Sequence, residues 1–322
     1  MNHINYDKYK GETREKMIKQ SQNFIIKDNK AYDLLTGEDI SHLYQHQWLI
    51  PVMNKVTINS KEAFKSLKVL GEHEAMNGQF VFAFFTLTKS ITDMFPDIKK
   101  PDIARLMYLG TLIEWESGML KTGKGKATTS VTRSNFHEVV KLSKNRSYVL
   151  LNQFIDSKVL IENIHNELIM NKELFYRGHK ENFNVTVKNK SFTRMFRKTV
   201  QDLFNNADGR QLSSIANIYM VLPFLNLHTN IVSHNPDETD IDKIIPMTLG
   251  ELSDVLGYKD YRKLKTTLNN VKIGDEYAFG FFFFDKDKRS MKIVVNPDIV
   301  FAGDGEQLGL VKLMFNKNKP KH

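Results

Sequence analysis

The sequence predicts an α+β fold, mainly α, in which an N-terminal α/β extension precedes one structural unit that occurs twice. Three observations lead there. An internal repeat holds a nearly constant offset, apolar residues fall at helical spacing inside each copy, and an apolar hairpin closes each copy. With 322 residues the chain can bury a large core, and two or three domains fit that length.

The repeat is read from spacing. Phe136, Val139, Leu142, Tyr148, Leu151 and Ile155 recur 113 residues later as Leu249, Leu252, Val255, Tyr261, Leu264 and Leu268. Upstream, Asp102 to Trp115 lies against Ser214 to Leu227 at an offset of 112, with Ile103 and Ala104 repeated as Ile215 and Ala216. Downstream, "IMNKELFYRG" ending at Gly178 parallels "VVNPDIVFAG" ending at Gly303 at an offset of 125. The twelve extra residues are expected in one place, between the second helix of the later copy and its final strand, where they lengthen a hairpin.

Taken in order, residues 1–75 form an N-terminal region with a hairpin at Phe24 to Leu35, turning at Asp28 to Lys30. A strand at Gln79 to Phe85 opens the first copy, residues 76–180. Its second helix runs from about Asn145 to Asp156, and its hairpin is a stub between Ile161 and Met170. Residues 181–208 read as a basic linker helix, because Phe192, Phe196, Val200 and Leu203 share a helical stripe flanked by Arg194, Arg197 and Lys198. In the second copy, residues 209–322, Thr248 is the expected N-cap of a helix that Gly257 stops. The next helix, about Lys259 to Asn270, turns Tyr261, Leu264 and Leu268 inward. A hairpin follows, "YAFGFFFF" and "MKIVVN" around the charged tip "DKDKRS". Helix, loop, short helix, turn, second helix and hairpin is the order of a winged helix-turn-helix unit, here in tandem.

Composition points to a polyanionic partner. Against 37 acidic residues stand 46 Lys and Arg, a formal charge of +9. A helix that reads the major groove needs Arg, Lys, Asn or Gln on its outer face. The second copy offers Lys259, Arg262, Lys263, Lys265, Thr266 and Asn269, with Lys286, Lys288 and Arg289 on the hairpin tip. The first copy offers Lys144, Arg146, Asn152 and Gln153, a less basic face. The loop "KTGKGKATTS" adds Lys124 and Lys126 as phosphate contacts; it lacks the spacing of a nucleotide-binding P-loop.

Other chemistries are disfavoured. With no cysteine there is no disulfide, thiolate zinc site or cysteine nucleophile, and a reducing compartment, the cytoplasm, is expected. His42 and His46 stand four apart but lack the glutamate and third ligand of a zincin, His228 and His234 lack a ligand partner at metal spacing, and the run from Asp237 to Asp242 reads as a solvated loop. No catalytic constellation, cofactor motif or apolar run of membrane-spanning length is found, so the expectation is a non-enzyme without metal or cofactor, away from membranes.

Through Ser233 to Tyr258, the exit "VVNPDIVFAG" and the matching Met170 to Gly178, the chain resembles the tandem winged-helix DNA-binding proteins of Gram-positive phages and plasmids, replication initiators and transcription regulators alike. The resemblance covers roughly residues 80 to 310. It implies base and phosphate contacts from the second helix of each pair to double-stranded DNA, with a homodimer or the replication or transcription machinery as further partners. The alternative is a protein-interaction module whose winged helices do not read DNA.

Overall fold

The computed structural model describes residues 24–27, 30–33, 53–85, 95, 97–123, 125–179, 191–282 and 291–318. Two compact units divide between Lys65 and Ser66. Within the first lies the hairpin read from the sequence: β1 (Phe24–Lys27) pairs antiparallel with β2 (Lys30–Asp33), Ile25 opposite Tyr32. Helix α1 (Met53–Met76) carries the chain into the second unit, so no break falls at residue 75.

From there the elements run in two rounds. The first comprises β3 (Phe80–Phe85), α2 (Lys100–Thr111), β4 (Lys121–Thr122), β5 (Thr129–Ser130), α3 (Phe136–Val139), α4 (Lys144–Asp156), β6 (Leu160–Glu162), β7 (Leu168–Met170) and β8 (Phe175–Tyr176). The second comprises β9 (Ser191–Phe196), α5 (Arg197–Asn206), α6 (Gly209–Met220), α7 (Leu249–Val255), α8 (Tyr261–Asn269), β10 (Lys272–Ile273), β11 (Glu276–Tyr277), β12 (Phe279–Phe282), β13 (Lys292–Val295) and β14 (Val300–Phe301). Helix α9 (Gly305–Asn318) follows. The fold is α+β with small antiparallel sheets.

The segment expected as a linker helix is a strand followed by a helix. Phe192 and Phe196 stand four apart, which suits a helical stripe, but Ser191 to Phe196 also alternates. Alternation wins, because Thr193 and Met195 then bury on the core side while Arg194 faces the other way. β9 is therefore a central strand of a four-stranded sheet ordered β14-β9-β3-β8. Phe80 lies opposite Phe196, Phe82 opposite Arg194 and Phe85 opposite Ser191. Each round closes on its own side: Phe82 pairs with Tyr176, and Arg194, 112 residues on, pairs with Phe301, 125 residues beyond Tyr176.

Other bridges recur at the same offsets. Ile113 bridges Leu120 as Leu225 bridges Val232, and Met119 bridges Ile169 as Ile231 bridges Val294. The twelve extra residues do not sit in one place, however. Leu160 pairs with Met170, and Phe279 with Val295, offsets of 119 and 125. Six extra residues therefore lengthen the hairpin, and the remainder lie before it, where the small β10–β11 hairpin forms.

One core joins both rounds. Ile103, Ala104 and Met107 of α2 and Ile215, Ala216 and Tyr219 of α6 are buried where these two helices pack. Gly110 lets α2 lie close to the sheet, since a Cβ there would stand 2.7 Å from the Phe175 ring. Tyr219 donates its hydroxyl to the Phe84 carbonyl, and burial drives its pKa upward. The end of α1 and α9 form a smaller cluster through Leu70, Phe196, Phe301, Leu308 and Val311. There Gly305 is packed so closely that a Cβ would collide with the Ser66 carbonyl.

His73 sits in that contact, buried, with the Phe196 ring edge-on at 4.7 Å. Its Nε2 is 3.0 Å from the Pro297 carbonyl, which can only accept, so Nε2 carries the proton. Burial, and then the charge of Lys312 and of Arg194, hold its pKa below the ordinary histidine value against the opposing pull of Asp298. The unfolded chain binds a proton as pH falls through about 6.5 and the folded chain does not, so stability is full above that pH and declines below it. Urea midpoints should fall for the wild type between about pH 7.5 and 5.5 and fall less for His73→Gln. Parallel profiles would refute this account.

Candidate nucleic-acid interface

Helix α8 is set by local chemistry. Thr248 caps α7 in a capping box with Glu251, Gly257 stands at φ +70° just past its end, and Asp260 caps α8 by accepting from the Arg262 N–H. Leu264 and Leu268 are fully buried, which turns the opposite face outward. Lys259, Arg262, Lys263 and Thr266 are exposed, and Lys265 is half-buried with its Nζ 5.8 Å from the centre of the Phe281 ring. That contact puts the helix beside strand β12 of the hairpin, so cations and hairpin share one surface. Thr266 donates its hydroxyl to the Arg262 carbonyl at 3.0 Å and keeps its lone pairs for a donor.

Asn269 departs from the expected outer face. It is half-buried, and its Oδ1 is shut away without a hydrogen-bond partner among the described residues. Lys286, Lys288 and Arg289 lie outside the described residues, as do Lys124, the side chain of Lys126, and His42 and His46. Lys272 is a cation the sequence reading missed. It is exposed on β10, its Nζ 4.6 Å over the Tyr277 ring, and it was hidden within the insertion.

The equivalent face of α4 is different. The inward residues are Ser147, Leu150, Leu151 and Phe154, whereas Tyr148, expected inside, is largely exposed. Lys144 is exposed, but Arg146 turns back to ion-pair with Asp102, a carboxylate 1 % exposed that also binds Arg105 at 3.0 Å. Arg146 is thus a structural cation, drawn to the buried charge that α2 presents. Asn152 accepts a 3.0 Å hydrogen bond from Arg133, whose guanidinium also grips Glu162 on β6 at 2.7 and 3.1 Å. Gln153 is half-buried. Only Lys144 among the four expected readers of α4 stands fully exposed.

No group of three metal-binding side chains occurs among the described residues. His234 lies 3.3 Å from Glu251, and His228 bonds Gln307 at 3.0 Å. No helix among the described residues is long and apolar enough to cross a membrane.

These placements separate structural from exposed cations. Arg146→Ala should destabilise the fold by about 1–3 kcal/mol, because it strips a partner from a buried carboxylate. Arg262→Ala should change stability by no more than about 0.5 kcal/mol. Urea titration of both variants checks this, and equal effects would contradict the assignment. Comparisons of the chain with protein-family models, with characterised proteins and with solved structures return no match.

Proposed function

We propose that the chain is a sequence-specific double-stranded DNA-binding protein built on two tandem winged helix-turn-helix units. It acts as a replication initiator or transcription regulator of a phage or plasmid in the cytoplasm. The observation that carries this reading is the surface of the second unit, where Arg262, Lys263 and Lys265 line one helix, with Lys259 just before it, beside an apolar hairpin. Short helix, turn, exposed basic helix and antiparallel hairpin match what insertion of a helix into a major groove demands. The recurrence of the same bridges 112 to 125 residues apart supports a second unit of the same kind.

The units are unequal, and α8 is the principal reader. Selection of bound duplexes from random DNA should return a consensus, and the triple variant Arg262→Glu, Lys263→Glu, Lys265→Glu should lose it. Binding should weaken with salt, log K falling by about 0.9 per log unit for each phosphate neutralised. A flat salt profile, or a triple variant that binds as the wild type does, would overturn the proposal. Footprints on repeated sites at an origin indicate initiation, and footprints over a promoter indicate regulation.

A second reading applies to the first unit alone. Around α4 and its hairpin, Tyr148, Val149, Ile161 and Ile164 are exposed, Ile164 at 92 %. Apolar side chains gathered where the basic readers are missing favour protein contact, and the partner proposed is a second copy of the chain. Sedimentation should then show a dimer that Val149→Asp with Ile164→Asp converts to monomer. A wild-type monomer at all concentrations would remove this reading and leave the DNA proposal intact.

A further inference from the structure

A cavity of about 560 Å³ lies apart from α7, α8 and their hairpin, bounded by the end of α2, the β4–β5 loop, the residue after β8 and the first turns of α5. We propose that it binds a small phosphorylated organic anion, of nucleoside-diphosphate class and size. Among the described residues its walls carry four cations, Lys121, Arg177, Arg197 and Lys198, against one carboxylate, Glu114. That carboxylate is already held by Lys121 and, at 2.9 Å, by the Ser117 hydroxyl. Neither guanidinium has a carboxylate within ion-pair distance among the described residues.

The two guanidiniums are held from behind. The Arg197 Nε donates to the Thr111 carbonyl at 2.7 Å, and an Arg177 terminal nitrogen donates to the Ile113 carbonyl at 3.3 Å. Both thus hang from the carboxyl end of α2, and among the described residues donors of each planar fork remain unused and the buried Arg177 Nε has no partner. Burial, and then repulsion from Arg177, pull the pKa of Arg197 down to about 10. Two desolvated like charges, whose nearby carboxylate Glu114 is already engaged by Lys121, form an arrangement that a phosphate relieves, since it can accept from both forks at once.

The remaining lining suits the organic part. Tyr108, stacked on Phe204 with centroids 4.0 Å apart, joins Leu112 and Ile113 in an apolar wall. Gly123 and Gly125 also line the cavity. At φ +89°, with Ala127 O only 2.2 Å from where a Cβ would be, Gly123 admits no other residue. Ligand pockets for small molecules measure about 300–1,000 Å³, and this one falls within that range. The site differs from a P-loop, whose backbone cradles the phosphates; here the donors are side chains from separate segments.

Calorimetry of the full chain with ADP, adenosine and sodium pyrophosphate as probes, at an ionic strength of about 0.15 M, tests the assignment. ADP should bind once per chain and more tightly than pyrophosphate or adenosine, and Arg197→Gln should weaken it by about tenfold or more. Lys198→Gln, at an exposed position, serves as the variant that keeps its melting temperature; it should weaken ADP by about threefold. No saturable ADP binding, or unchanged affinity in both variants, would overturn the proposal. Pyrophosphate binding as tightly as ADP would overturn the nucleoside assignment. Stoichiometric displacement of ADP by duplex DNA, with both variants losing duplex affinity equally, would make the cavity a DNA-backbone contact and overturn it as well. Failure of duplex binding by the α8 triple variant leaves each of these outcomes readable, because the cavity shares no residue with α8.

Discussion

From Ser66 onward, the elements are positioned by the antiparallel ladder between β3 and β9. Six residues of one strand face six of the other, with Phe82 opposite Arg194 near its middle. Both strands alternate, so a slip of one residue would drive Phe82 and Arg194 into the side now held by Val81, Ala83, Thr193 and Met195. Register is therefore strongly specified. Arg194 reinforces it by donating to the carbonyls of Phe301 and Gly303, tying a central strand to the edge strand and to the approach of α9. Because β8 and β14 attach to the outer edges in matching register, the ladder joins the two rounds of helices over one continuous core. Each round contributes one pair of strands, β3 with β8 and β9 with β14, and the β3–β9 pairing fuses the two pairs into one sheet.

What was legible in the sequence follows from the range of the interactions involved. Thr248 and Gly257 were readable as helix ends because a cap acts within one turn. The offsets of 112 and 125 were readable because bridges such as Met119 with Ile169 need apolar residues on both sides wherever the topology recurs. β9 was misread because phenylalanines at 192 and 196 satisfy two periodicities, and only pairing with β3 selects between them. Arg146 was misread for a longer-range reason. Its partner Asp102 lies 44 residues away on α2, and the spacing within α4 contains no sign of a buried carboxylate waiting there. Lys121, Arg177 and Arg197 likewise come from three separated segments, so nothing local marked them as one site.

The cavity also explains how two rounds with the same pairing come to differ. The bridges Ile113 with Leu120 and Leu225 with Val232 make Glu114 and Lys121 the counterparts of Asn226 and Ser233. In the later round Asn226 is fully buried. Its amide donates to the Pro236 and Glu238 carbonyls, and its oxygen accepts from the N–H groups of His228 and Thr229. A neutral side chain with two donors and an accepting oxygen closes that turn, and no charge is needed. In the earlier round the same turn carries a carboxylate and an ammonium, groups that resist full burial and keep contact with solvent. The later round exposes cations along α8 and at Lys272, while in the earlier one Arg146 is drawn inward to Asp102; the cavity takes its cations from both rounds, Lys121 and Arg177 from the earlier and Arg197 and Lys198 from the later.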